Sequence, residues 1–585
     1  MHANDANIIN NFLNNHISAS EKIRFFFSRN WLKMSKFLSF REKMVVFLLV
    51  FLICGSLIFW LAQIYFGATK PIPKTGGEYV EGIVGQPLYI NSLLSQTSES
   101  DADLVQLIYS GLLKYDSEGK LKNEMAESYE ISDDQKIYTV HLKKSLFWHD
   151  GQPLTAGDIL FTISILQDPA YKSPLRQNWQ GVEVSQIDDY TLNFALSSPY
   201  SGFLNNLTLG ILPKHIWGNI APEKFSLADY NLKPIGSGPY QFVNFQKSST
   251  GEILFYELKA FNKYSEGEPY ITKLNINFYP DNDMMLTAFN KKEIKGMENI
   301  DPEKIEGIKN KKSTLIKELS FPRYFSVFFN QTKSVPLANI YVRQALSQAV
   351  NRQEIINAVL GGKGAPIYSP FLPTMKEFNN DIDKREFNLD RARQILDDAG
   401  WKLEEGETVR KKNGTQLEFK LQTADWPDLV ETADVLVKQW NEIGVKADVE
   451  TLSVTDLQQN YIRPREYEAL LFGQVTNFNP DLYPFWHSSQ KQDPGFNLAL
   501  FDDKDADIFL RDIRQESDEN KRIEKYKELQ RIIADKAPAA FLYSPYYLFP
   551  ISNKIKGVEI KNINSPSWRF ADVNKWYVKT ARVKK

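Results

Sequence analysis

The sequence predicts a mixed α/β body preceded by one transmembrane helix. Three observations carry this. Met44 to Phe66, "MVVFLLVFLICGSLIFWLAQIYF", is a run of 23 residues without a charge. From Glu78 to Lys585, strand-like alternation and capped helical periods follow one another irregularly, with no repeat and no low-complexity stretch. The 585-residue length is also more than one hydrophobic core organises, so two or three domains are expected.

As a helix the apolar run would extend roughly 34 Å, enough to cross a bilayer. Lys22, Arg24, Arg29, Lys33, Lys36, Arg41 and Lys43 precede it, against only Asp5, Glu21 and Glu42. By the positive-inside rule, residues 1–43 form a cytoplasmic basic tail and everything after Phe66 lies outside, periplasmic or at the cell surface. Within the tail, "KIRFFFSRNWLKMSKFLSF" (22–40) mixes basic and aromatic residues, as segments lying along an inner membrane surface do; a basic tail of no fixed structure reads the same way. The run exceeds the apolar region of a signal peptide and no small-x-small site follows it. An uncleaved anchor over 44–66 is therefore expected. Cys54, the only cysteine, sits inside the run, with Leu52 and Ile53 where a lipidation signal needs small residues. No disulfide and no cysteine metal site can form. "GATKPIPKTGG" (67–77) has the composition of a linker.

Further along, caps make several helices legible. "SDADLVQLIYSG" sets Leu104, Leu107 and Ile108 on one face, with Gly111 as a stop. "QKIYTVHLKK" alternates as a strand, with Tyr138, Val140 and Leu142 facing one way and His141 the other. In "FWHDGQPLTAGDIL" (147–160), Asp150–Gly151 is a turn dipeptide. Thr155 and Asp158 can cap a helix whose apolar side is Ile159, Thr162, Ile163 and Leu166. Asn351 with Glu354 opens "NRQEIINAVLGG" like a capping box, and Gly361 closes it. "NLDRARQILDDAG" runs from Asn388 to Gly400 through Ala392, Ile395, Leu396 and Ala399. "VETADVLVKQWNEIG" places Ala433, Leu436, Val437 and Trp440 at helical spacing, and "VKADVE" then alternates as a strand.

Composition and motifs exclude more than they assign. A net charge of −2 with no long basic run in the body argues against nucleic acid. There is no G-x-S-x-G, H-E-x-x-H or G-x-x-x-x-G-K-[ST], and the glycines of "GGEYVEGIVG" and "LGGKGAP" are wrongly spaced to cradle phosphate. Asp133–Asp134, Asp397–Asp398 and Asp502–Asp503 read as solvated turns and helix faces. His141, His149, His215 and His487 show no i, i+3 or i+4 pairing that would hold a metal. Neither an enzyme nor a cofactor is expected.

Read in order, several blocks resemble the family 5 extracellular solute-binding proteins, the peptide, dipeptide and nickel binders of ATP-driven importers. The first is "LIYSGLLKYDSEGKLKNEMAESYEISDDQKIYTVHLKKSLFWHDGQPLTAGDILFTISIL". "KPIGSGPYQF" (233–242) is similar to the family's P-x-G-[ST]-G-P-Y loop. "PLANIYVRQALSQAVNRQEIINAVLGGKG" resembles its V-R-x-A-L-x-x-A-x-[DN]-R block, and "GFNLALFDDKDADIFL" and "YKELQRIIADKAPAAFLY" its C-terminal blocks. The resemblance covers about residues 76–585. It implies two α/β lobes of the periplasmic-binding-protein type II large cluster, with an extra subdomain. Lobe I would take 78–320 and lobe II 321–538, and 539–585 would return to lobe I. "FPRYFSVFFN" (321–330) and "AFLYSPYYLF" (540–549) would be the crossovers, apolar strands buried between the lobes. In the family the H-D-G turn is structural, so His149 and Asp150 are not expected to form a catalytic pair.

The resemblance also implies a site. In the family's peptide binders an aspartate in a loop of lobe II captures the ligand's amino group. The counterpart here is "LFGQVTNFNPDLYPFWHSSQ" (471–490), where the anchoring position aligns with Asn477. Either the ligand presents no free α-amino group there, or Asp481 supplies the charge. Gln474 and Thr476 flank Asn477 and offer backbone to an extended ligand. Trp426, in "QTADWPD", matches a loop lining the family's cleft, or packs on its own helix. Trp486 and His487 are wall or core, with a metal role for His487 disfavoured. The expected partners are a peptide or similar small polar solute, ABC permease subunits and the bilayer, with the chain a monomer. The alternatives are an extracytoplasmic peptide sensor or scavenger without transport, and a membrane-anchored hydrolase, which no motif supports.

Overall fold

The computed structural model describes residues 39–585, apart from Asn479 and the side chain of Lys43. The basic tail expected over 1–43 lies outside the described residues up to position 38, as does most of its aromatic stretch. The chain runs through α1 (Phe40–Ala68), β1 (Thr69–Lys74), α2 (Glu99–Ile108), α3 (Ala156–Gln167), β2 (Thr314–Leu319) and β3 (Arg323–Phe329). There follow β4 (Glu418–Ala424), α4 (Pro427–Asn441), β5 (Ala469–Val475), α5 (Lys504–Gln515), α6 (Glu519–Lys536), β6 (Ala539–Pro545), β7 (Tyr547–Ser552) and β8 (Lys579–Lys584). Two compact units result. Among the described residues, one holds 39–73 together with Thr580–Lys585, the other Lys74–Lys579.

In the first unit, α1 has the length and composition to cross a membrane, and its apolar side chains are exposed around its circumference. A capping box starts it four residues before the apolar run: Ser39 N–H and hydroxyl each donate to Glu42 at 2.8 Å. The expected linker is partly ordered. Its first residues finish α1, and β1 pairs with β8 in a two-stranded ribbon. Arg582 is the reason the helix can end there. It donates to the carbonyls of Phe66 (3.2 Å) and Thr69 (2.9 Å) and to the Thr69 hydroxyl (2.8 Å), and its guanidinium lies 4.5 Å from the Phe66 ring. A helix end leaves carbonyls without partners and carries partial negative charge, which a guanidinium suits. Nothing local in "KPIPK" signals this partner, more than 500 residues away.

The second unit is built on two large sheets. The first has seven strands, in the order β2, β7, Gly296–Met297, Glu78–Val84, Lys273–Tyr279, Ile253–Ala260, Tyr240–Lys247. The second has six: Gly364–Pro366, β6, β3, β5, β4, Lys446–Leu452. A four-stranded antiparallel sheet of Ala126–Ile131, Ile137–Leu142, Thr191–Leu196 and Val182–Asp188 forms the extra subdomain. Each large sheet has its own core. Ile83, Leu107, Phe321 and Tyr547 belong to one; Tyr324, Leu421, Trp440 and Tyr543 belong to the other. The chain therefore crosses between lobes at residues 320–322 and again at Tyr546. The expected boundaries differ at the return: Ala539–Pro545 is still a central strand of the second sheet. An apolar run such as "AAFLYSP" is what a strand buried on both faces requires, and β6 is buried along its whole length.

The helix starts form as their caps predict. Thr155 N–H donates to the Asp158 carboxylate (3.0 Å), and α3 buries Ile159, Thr162, Ile163 and Leu166. Leu104, Leu107 and Ile108 are buried on α2.

His149 and Asp150 do not pair. The Asp150 carboxylate lies 2.7 Å from the His215 ring. His149 is enclosed instead by the glycine loop: Gly236 N–H donates to its Nδ1 (3.2 Å), and its Nε2 sits 3.1 Å from the Gly238 carbonyl. That arrangement needs a neutral ring with the proton on Nε2. The loop must be glycine because a Cβ at Gly236 would stand 1.9 Å from the Ile108 carbonyl oxygen. Burial lowers the His149 pKa from 6.5 to about 4. The stability linked to this neutral ring is complete above pH 6.5 and is lost as pH falls toward 4, about 3 kcal/mol in all. Proton NMR should accordingly find one histidine neutral at pH 5; titration of every ring near 6.5 would contradict this account.

Candidate functional site

Strand β5 lies between β3 and β4, but the two pairings differ in length. With β3 it pairs from Ala469 through Val475, whereas with β4 it stops at Leu471. Strand β4 ends at Ala424, and Pro427 then starts α4. Phe472 to Val475 are left with one open edge. Trp426 stands at the corner so made, stacked on Phe472 with ring centres 6.2 Å apart and 45% exposed. It is the N-cap residue of α4, and its ring borders this edge.

The register decides which backbone groups the edge offers. Thr476 N–H donates to the Pro322 carbonyl at 2.8 Å, and Tyr324 stands opposite Gln474. In an antiparallel ladder, residues bonded to the neighbour alternate with residues whose N–H and C=O point the other way. Thr476 and Gln474 therefore point at β3, and Gly473 and Val475 point at the open edge. This corrects the expectation that Gln474 and Thr476 offer their backbone. The Gln474 side chain is occupied too, accepting from the Tyr324 hydroxyl (2.6 Å) and donating to the Phe496 carbonyl (2.9 Å). Period-2 reasoning places these residues on alternate sides; which side is free depends on where β4 ends. Gly473 has a second role, since a Cβ there would lie 2.8 Å from the Phe325 ring.

Past β5, Asn477 is exposed and lines a cleft of about 300 Å³ between the lobes. Val475 and Asp481 border it from lobe II, and Asn178, Tyr200 and Asn205 from lobe I. A cleft of about 490 Å³ continues it toward Arg511 and Arg514. Asp481 reaches both clefts, but its charge is already matched. Arg514 holds it through Nε (2.9 and 3.0 Å) and Nη2 (2.5 Å), and Tyr483 N–H donates to it at 3.1 Å. The Arg514 guanidinium also lies 4.2 Å from the Tyr483 ring. The last turn of α5 receives lobe I: Ser201 donates to the carbonyls of Arg514 (2.7 Å, through N–H) and Ile513 (3.1 Å, through its hydroxyl). Helix-end carbonyls lack intrahelical donors, so this is a natural seat for another chain segment.

The remaining two candidates, Trp486 and His487, are buried. Trp486 is 1% exposed, its ring 5.8–6.4 Å from those of Phe541, Phe501 and Phe328. His487 is buried, stacked 4.0 Å from the Tyr483 ring, with Nδ1 accepting from Ser489 N–H at 3.1 Å. Burial lowers its pKa. No cluster of three potential metal ligands occurs among the described residues.

Two lobes, an extra subdomain and an interlobe cleft with an open strand edge describe a protein that encloses a ligand. Residues 120–496 match the profile of "Bacterial extracellular solute-binding proteins, family 5 Middle". The chain belongs to this family. It is 30% identical over 516 residues to the oligopeptide-binding protein AppA of Bacillus subtilis (strain 168), covering 86% of this chain and 92% of that one. The dipeptide-binding protein of Escherichia coli (strain K12) is 28% identical over 460 residues, 74% of this chain and 82% of that one. The structure of B. subtilis AppA in complex with a nonapeptide superposes with a TM-score of 0.66 at 28% identity, over 87% of this chain and all of that one. The matched residues take in the "KPIGSGPYQF" loop and the "PLANIYVRQALSQAVNRQEIINAVLGGKG" block of the resemblance. The family is one of binding proteins rather than enzymes.

Proposed function

We propose that this protein is the membrane-anchored, extracytoplasmic capture subunit of an ABC importer, and that its solute is a peptide lying extended along the open edge of β5. The edge carries the reading. Gly473 and Val475 present unpaired backbone donors and acceptors in a groove between lobes, which is what a peptide main chain pairs with irrespective of sequence. The relatives named for oligopeptides and dipeptides support the same solute class. Helix α1 serves as the anchor, holding a monomeric body near the permease and raising its effective concentration there. A peptide touching both lobes favours the closed form by its differential affinity, and the closed form docks on the permease subunits.

At the position where the family resemblance puts the peptide's amino group stands an amide, Asn477, lining the cleft, and the nearby carboxylate of Asp481 is neutralised by Arg514. The peptide's ammonium is therefore not captured by a carboxylate here. A charge-assisted bond contributes roughly 1.5–3 kcal/mol, so its presence would separate free from N-acetylated peptides by about tenfold or more. Calorimetry should find the two within about threefold of one another, well short of that separation. Val475→Pro, which deletes a donor at the edge, should weaken every peptide. Undiminished binding by that variant would remove the strand-edge reading.

A further inference from the structure

We propose a second ligand site, in the interlobe cavity behind the Asn477 loop, that takes a small zwitterion bearing a free ammonium group: an amino acid or a dipeptide. The cavity holds about 710 Å³ and is lined by Tyr115 and Leu204 of lobe I and by Met375, Glu377, Phe478 and Arg522 of lobe II, among others. It shares no lining residue with the cleft at Asn477 or with the continuation of that cleft. Between them stand the Tyr115 hydroxyl bonded to the Asn205 side chain (2.5 Å) and Ser201 seated on the end of α5.

Glu377 marks the place for the ammonium. Its side chain is 2% exposed, yet Oε2 has no hydrogen-bond partner among the described residues. The nearest cation to its other oxygen is Lys376 at 3.9 Å, and Lys376 is committed to Glu519. The residue is held there deliberately, its carbonyl accepting from the Gln530 side chain of α6 at 2.7 Å. Burial pushes the Glu377 carboxyl above its ordinary range. Beyond its own backbone N–H, this buried carboxyl finds no donor among the described residues, and Oε2 is left with an open acceptor position.

Arg522 marks the place for the carboxylate. Its guanidinium donates to the Glu516 carbonyl (3.0 Å) and has no carboxylate within 4.0 Å among the described residues. The other charges on the walls are mutually matched, Lys120 with Glu118 and Lys376 with Glu519. One acid wanting a donor, one cation without a counter-charge and walls of Tyr115, Leu204, Met375 and Phe478 together fit a small amphipathic zwitterion. Because both lobes line the cavity, filling it favours closure. A zwitterion bound there raises the affinity of the β5 edge for peptide, and peptide raises its affinity in return by the same factor.

Calorimetry on the full-length protein in detergent tests this, with L-phenylalanine and glycyl-L-phenylalanine as probes and N-acetyl-L-phenylalanine as control. At least one probe should bind and the control should not. Glu377→Gln and Arg522→Gln should each weaken the probe at least about tenfold, the scale of one charge-assisted bond, while Val475→Pro leaves it unchanged. Arg522 is partly exposed, so its variant keeps the test decisive if Glu377→Gln fails to fold. Absence of binding by both probes overturns the proposal, as does indifference of the probe to both charge substitutions. Loss of the probe in Val475→Pro would place it on the strand edge and overturns the proposal too, without touching the reading of β5.

Discussion

Replacing Arg569 by methionine should destabilise the body by about 3–5 kcal/mol, the usual cost of removing one partner from a buried ion cluster. Arg569 is fully buried, 2.6 and 2.7 Å from the two oxygens of Asp103 on α2 and 3.0 Å from Glu81 in the seven-stranded sheet. The Tyr79 hydroxyl donates to the other oxygen of Glu81, and the Arg569 guanidinium lies 4.2 Å from the Phe570 ring. Without the guanidinium, two carboxyls remain in an apolar core with no counter-charge, and both must be protonated to stay there. Burial already raises the Glu81 carboxyl to about 7 with Arg569 present. A loss of that size is a large part of a typical folding free energy of about 5–15 kcal/mol. Urea unfolding would measure it. The triple variant R569M/E81Q/D103N should recover most of the loss, because removing all the charges also removes their desolvation cost. If the triple variant is as unstable as the single one, packing rather than charge is what Arg569 provides.

None of this cluster stands out in the sequence. Arg569 and Glu81 are 488 residues apart, and each sits in a stretch with no charge pattern to single it out. The readable features were those whose cause lies within a few residues. The capping pairs Thr155–Asp158 and Asn351–Glu354, the apolar faces of α2, α3 and α4, and the uncharged run in α1 all formed where local chemistry places them. Asn477 also reached the interlobe cleft, because its loop carries a family pattern. What stayed hidden depends on which distant strand is a neighbour and where that neighbour stops. Gly473 and Val475 face outward only because β4 ends at Ala424 while β3 continues to Arg323. Asp481 is paired rather than free because a helix 33 residues later brings Arg514 to it. The stretch after α1 is a strand rather than a linker because β8 returns to pair with it.

Glu298→Gln should stabilise the protein, and by an amount that grows with pH. Glu298 is 8% exposed and accepts one bond, from Val84 N–H at 2.7 Å, with no cation paired to it among the described residues. Burial, with Asp103 and Glu99 nearby, raises its carboxyl from 4.5 to about 8. Below pH 4.5 the folded and unfolded chains both hold the proton, and the residue costs nothing through ionisation. Between 4.5 and 8 the unfolded chain releases the proton while the folded one keeps it, so stability falls with rising pH by about 1.4 kcal/mol per unit. At pH 7 the accumulated cost is about 3 kcal/mol, and above pH 8 it levels off. This slope opposes that of His149, which loses stability in the acid direction, so the two together confine maximal stability to mildly acidic pH. Glutamine keeps an oxygen for Val84 N–H and cannot ionise. The variant should therefore match the natural protein in urea unfolding near pH 4.5 and exceed it by several kcal/mol at pH 8, with the gain following a single titration. A gain of equal size at both pH values would mean that shape, not the proton, makes Glu298 costly.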